Sequence, residues 1–146
     1  MTNEIKKENI ENFIFGGNSW FTITSKRTNA HYSYNVYRKP DSDIFFVKIQ
    51  DGSAHKYSGY LKRIKGIWKY YKGQNGNFTI EDKRILALMW VILHSKDTDI
   101  DTKITLQHMG KCCKCGKALV DPKSIELGVG PQCAKIVFGG KKDADK

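Results

Sequence analysis

All four cysteines of the 146-residue chain fall within its last 35 residues, at Cys112, Cys113, Cys115 and Cys133. Two residues separate Cys112 from Cys115, a spacing at which two thiolates converge on one ion, and Gly116 permits the tight turn behind them. Cys133 returns after 17 intervening residues, within the range of zinc ribbons and fingers. A ribbon would place a fourth cysteine at position 136, where this chain has Ile136. His108, four residues before Cys112, is the best placed substitute. Cys113 is the alternative, although adjacent thiols reach one ion only with strain. A His108-Cys112-Cys115-Cys133 tetrahedron would bind one Zn2+ and leave no position for substrate water, so its expected role is structural. A redox Cys-x-x-Cys wants a βαβ setting, which this sequence lacks. A disulfide framework wants an export signal, and residues 1–12, mostly polar and charged, contain no apolar stretch.

A second chemistry lies upstream. Between Ser19 and Lys72 there are 11 Lys and Arg against Asp41, Asp43 and Asp51, leaving +8 of the chain's net +10. The same stretch carries 12 of the 17 aromatics. Cations follow phosphates and rings stack on bases, so this mixture suits single-stranded DNA or RNA. Lys26, Arg27, Arg38, Lys39, Lys62, Arg63, Lys65 and Lys69 are the candidate phosphate contacts. Trp20, Tyr37, Tyr57 and Trp68 are the candidate stacking rings. The plainer reading is a sheet whose rings fill a core and whose lysines keep it soluble.

Catalysis has no comparable signature. The chain contains no G-x-S-x-G, no P-loop, no H-E-x-x-H and no paired-carboxylate pattern, so it is expected not to be an enzyme, and no small-molecule substrate is evident. His31, His55 and His94 are isolated, and Glu81-Asp82 stands where a helix N-terminus favours acids. No apolar run approaches the ~18 residues of a membrane span, and a basic, cytoplasmic protein without membrane contact is expected.

The elements that must position these groups are legible as alternation and turns. Residues 20–25, 31–38, 44–50, 57–64 and 67–72 read as strands, separated by polar or glycine-bearing turns such as Pro40–Asp43 and Asp51-Gly52. Residues 79–94 read as one long helix, apolar nearly all round, with Thr79 and Asp82 approximating a capping box. The expected fold is α+β: a five-stranded antiparallel meander packed by that helix, plus a small C-terminal zinc-binding module. The expected divisions are an N-terminal extension (1–18), the basic sheet-plus-helix domain (19–96), an Asp-rich linker (97–103), the module (104–138) and a flexible basic tail (139–146).

The string from Gly110 through Cys112, Cys115, Gly116, Asp121-Pro122 and Ile125 to Gly128-Val-Gly-Pro-Gln-Cys133 resembles a small zinc-binding domain found largely in phage and mobile-element proteins and catalogued as being of unknown function. The resemblance covers about 30 residues. It implies metal ligation by Cys112, Cys115, Cys133 and His108. A weaker resemblance joins Phe21–Thr28 to a phrase that precedes the module in such proteins. Taken with the basic aromatic stretch, the expected function is that of a phage-type, non-catalytic nucleic-acid-binding protein. The alternative is a counter-defence or host-takeover inhibitor, such as an anti-CRISPR, that binds a host protein or ribonucleoprotein.

Overall fold

The computed structural model describes residues 3–74 and 76–138; the tail expected at 139–146 lies outside the described residues. Alternating aromatic and β-branched residues form β1 (Asn18–Ser25), β2 (His31–Arg38), β3 (Ile44–Asp51), β4 (Ala54–Ile64) and β5 (Ile67–Lys72), each antiparallel to the next. The β4–β5 turn is two residues, Lys65 and Gly66, both at positive φ (54° and 83°). That backbone matches the right-handed twist of paired strands. A register shift between Val47 and Lys48 leaves an extra residue on β4, and a Cβ at Gly59 beside it would collide with the Tyr71 carbonyl oxygen.

The sheet has six strands, not the five expected. Ile104–His108 forms β6 and pairs antiparallel with β1, giving the order β5-β4-β3-β2-β1-β6. Its alternation is clear in burial: Ile104, Leu106 and His108 point inward, Gln107 outward. The strand lies within residues 104–138, so the segment that opens the cysteine region also closes the sheet's open edge.

The helix is shorter than expected. It runs as α2 over Lys83–Leu93, 11 residues, because Asp82 rather than Thr79 caps it, accepting from the Arg84 N–H at 2.9 Å. Thr79 to Asp82 is instead a turn, closed by the Asp82 N–H donating to the Thr79 carbonyl at 3.0 Å. Ile85, Leu88, Val91 and Ile92 face the sheet, and the Tyr34 hydroxyl donates to the Arg84 carbonyl at 2.7 Å across the contact.

One core joins all of this. Phe21, Tyr34, Val36, Phe45, Val47, Ile49 and Leu61 line one sheet face. Against them pack α2 and the short helix α1 (Ile10–Ile14), whose Phe13 meets Phe21 edge-on with ring centres 6.0 Å apart. Ile5, Ile10, Phe13 and Ile14, and Ile100 from the Asp-rich stretch, belong to the same buried cluster, as do Cys112, Cys113 and Val129. Among the described residues no helix is long and apolar enough to cross a membrane.

Candidate metal centre and open sheet face

The thiol loop starts where β6 ends. A bridge between Lys111 and Ala118 makes a small hairpin, and Cys112 to Gly116 form its tip. Gly116, at φ 78°, donates its N–H to the Cys112 carbonyl at 2.9 Å, and the Lys114 N–H points at Cys112 Sγ from 3.5 Å. The chain then passes through α3 (Pro122–Leu127), capped by Asp121, and turns at Gly128 in the left-handed conformation. Gly128 also approaches Phe13 and Ile5 so closely that a side chain there would have to displace them. A last helix, α4 (Pro131–Val137), carries Cys133 in its first turn.

These turns bring three sulfurs together. The Sγ atoms of Cys112, Cys115 and Cys133 all lie within 4.8 Å of one another, and all four cysteines are free thiols. The three can hold a metal ion. Cys112 is buried, Cys133 half-buried and Cys115 exposed, so the cluster opens toward solvent on one side. Burial pushes the Cys112 thiol up, but the backbone N–H groups of Gly130, Cys115 and Lys114 outweigh it and bring it down to about 7. Burial and the neighbouring sulfurs push Cys133 up to about 11. Close thiols ionise in turn, because the first thiolate disfavours a second beside it.

His108 stands outside this cluster. Its ring is buried and both nitrogens are engaged: Nδ1 accepts from the Gly110 N–H at 2.9 Å, and Nε2 bonds the Ile125 carbonyl. The imidazole therefore pins β6 to α3, and burial holds its pKa below the usual value. Cys113 is buried on the far side of the loop, where a Cβ at Gly16 would meet its sulfur at 2.7 Å. Burial raises its pKa far above the ordinary thiol value.

Residues 107–138 match a family of unknown function (DUF6011). The match takes in β6 from Gln107, all four cysteines, α3 and α4, and stops short of the sheet's first five strands. No curated protein and no solved structure matches the chain.

The opposite face of the sheet carries the second group of candidates. Register places Trp20, Tyr37, Phe46, Tyr57, Tyr60 and Tyr71 on it, and none of these belongs to the buried core or packs against it. They shield one another instead. Tyr37 and Phe46 have ring centres 5.5 Å apart, Phe46 and Tyr57 6.2 Å, and Tyr60 and Tyr71 5.2 Å. Lysines interleave with them: Lys39 sits over Phe46 at 5.2 Å, Lys48 over Tyr37 at 5.3 Å, and Lys62 and Lys69 are cross-strand partners. Asp51 is the only acid in the six strands, and it pairs with Lys56 and Arg84. Among the described residues Lys39, Lys48, Lys62 and Lys69 form no ion pair.

Not every expected residue lies there. Trp68 is on the packed face, stacked on Phe15 with centres 3.8 Å apart, its indole N–H donating to Glu11 at 3.4 Å. Arg63 lies over Trp68 and Arg38 over Phe45, both on that packed side. Lys65 occupies the β4–β5 turn. Lys26 and Arg27 occupy the β1–β2 turn and line a cleft of about 710 Å3 beside Trp90 of α2. Phe46, Tyr60, Tyr71 and Lys48, by contrast, share the open face without having been singled out. Their positions follow from strict alternation once β4's extra residue is counted.

Proposed function

We propose that the chain is a non-catalytic protein that binds single-stranded DNA or RNA on its open sheet face, with one Zn2+ stabilising the C-terminal region. The observation that carries the first half is the composition of that face. Six rings stand on it with four lysines that form no ion pair among the described residues, and no acid of the six strands faces that way. Half-exposed aromatics cost solubility, and flat rings beside ammonium groups complement bases beside phosphates. Base–aromatic stacking contributes about 1–3 kcal/mol per base.

Zinc is the proposed ion because a Cys-x-x-Cys loop with a third thiol is a soft, tetrahedral-type donor set. Cys112, Cys115 and Cys133 would hold it, and the ion would supply charge neutralisation and a cross-link between the loop and α4. Reduced, clustered thiols also suit a reducing compartment such as the cytoplasm.

The test is purification from cells, followed by metal analysis and titration of labelled oligonucleotides. One zinc per chain is expected, with an affinity for single strands that falls steeply with salt. Absence of single-strand binding overturns the proposal. A host protein retained after nuclease treatment, without oligonucleotide affinity, would support an inhibitor of a host complex instead.

A further inference from the structure

We propose that the metal-binding loop forms one wall of a nucleotide seat on the open face, so that metal occupancy and strand binding are coupled. This rests on the single-strand reading above and adds a function for the cysteine region beyond holding the chain together.

Two backbone bonds moor the loop to β1. The Met109 N–H donates to the Trp20 carbonyl at 3.1 Å, and the Asn18 N–H donates to the Cys113 carbonyl at 2.8 Å. Lys111 lies between these moorings, just before the first thiol, and Lys114 directly follows the second. Lys111 reaches the open face, with its ammonium 4.3 Å from the Trp20 ring centre. Lys114 lines a shallow groove of about 430 Å3 together with Asn18, Trp20, Asn35, Tyr37 and Lys48. Neither lysine forms an ion pair among the described residues.

A further group at this place wants a ligand. His55 meets Trp20 edge-on, with centres 5.1 Å apart, and its Nε2 is shielded from solvent without a hydrogen-bond partner. An orphaned imidazole nitrogen is costly unless something completes it. Two stacking rings, three ammonium groups and this nitrogen together fit a nucleotide and its neighbours on one strand: a base on Trp20 or Tyr37, and a separate backbone phosphate for each of Lys48, Lys111 and Lys114. A duplex, with its bases stacked inside, cannot offer a ring face to Trp20. Lys111 and Lys114 stand where they do because the thiol loop is folded, and the metal is what fixes that fold.

The experiment is fluorescence anisotropy on the full chain with labelled oligothymidylate and oligouridylate of about 16 nucleotides, across about 50 to 200 mM salt. Each phosphate contact on a single strand adds about 0.7 to the salt slope. Lys111→Ala with Lys114→Ala should therefore lower the slope by about 1.4 and weaken binding several-fold at low salt. Metal content and melting temperature should stay unchanged. Stripping the metal should reproduce that loss, and restoring it should reverse the loss. Should the double variant lose metal, Lys111→Gln outside the thiol pair gives the same readout with about half the slope change. Unchanged slope and affinity in the lysine variants overturn the coupling. If Tyr60→Ala with Tyr71→Ala still weakens binding, the open-face reading survives that failure. If the wild-type chain binds no oligonucleotide, both fall.

Discussion

The ammonium of Lys111 lies 4.3 Å from the centre of the Trp20 ring. One residue thus links the thiol cluster, which begins at Cys112, to the aromatic face of the sheet. An ammonium this close to an indole face is held by the ring's quadrupole, a contact worth about 0.5–1 kcal/mol at an exposed site.

Removal of rings on the two faces should have opposite signatures. Trp20→Ala is expected to keep the fold and to weaken single-strand binding by about 1–3 kcal/mol. Trp68→Ala removes the ring stacked on Phe15 and packed edge-on against Phe45, and is expected to cost up to about 3 kcal/mol of stability. Urea unfolding and anisotropy on both variants check this. Equal effects of the two on binding by folded protein would contradict the assignment of faces.

The ligand set is tested by pairing two substitutions. Cys115→Ser should abolish stoichiometric metal binding. His108→Ala should keep one metal per chain yet destabilise by about 1–3 kcal/mol, because the Gly110 N–H and the Ile125 carbonyl lose their partner. Metal analysis of folded His108→Ala decides: loss of the metal there would make the histidine a ligand after all.

Legibility in the sequence was uneven, for physical reasons. β1 to β5 announce themselves because alternation is punctuated by turn residues within a few positions. β6 also alternates, but its partner β1 lies some 80 residues earlier, and nothing local records a pairing that distant. Alternation separates Trp20 from Phe21 and says nothing of which face a helix will cover, since both faces carry rings. Hence Trp20 and Trp68 look equivalent in the chain and are not in the fold. Spacing brought Cys112, Cys115 and Cys133 together correctly. It could not show that Gly110 and Ile125 claim the two nitrogens of His108, a consequence of where α3 docks. The helix start failed on competition between two caps: Asp82 takes the role because Arg84 follows it with both an N–H and a guanidinium at 2.8 Å.

That pair gives a pH prediction. The Arg84 hydrogen bond holds the Asp82 carboxyl below its ordinary value of 3.8. A depressed folded-state pKa means that the stabilisation is fully present above that ordinary value and is lost as pH falls through the lower, folded one. Asp82→Ala should cost about 1 kcal/mol at neutral pH through the lost cap. The gap between wild type and variant should narrow below about pH 4, as urea midpoints at successive pH values would show. A gap that stays constant into strong acid would contradict the cap.

Backbone geometry joins the module to the core at Gly128. It has φ 76°, and a Cβ there would approach Phe13 and Ile5 at 2.7 and 2.8 Å. Gly128→Ala should therefore destabilise by more than about 1 kcal/mol and loosen α3 and α4 from α1. Hydrogen exchange confined to residues 109–138 would register the loosening; an unchanged pattern would contradict this junction.

A strand-binding face stands or falls on the salt dependence of single-strand affinity. Lys39, Lys48, Lys62, Lys69, Lys111 and Lys114 are the six cations assigned to that face and its wall. At about 0.7 per contact, they predict a slope of log affinity against log salt near 4, falling when Trp20 and Tyr37 are replaced and the strand no longer seats. A flat dependence, or no affinity for single strands at low salt, would contradict it.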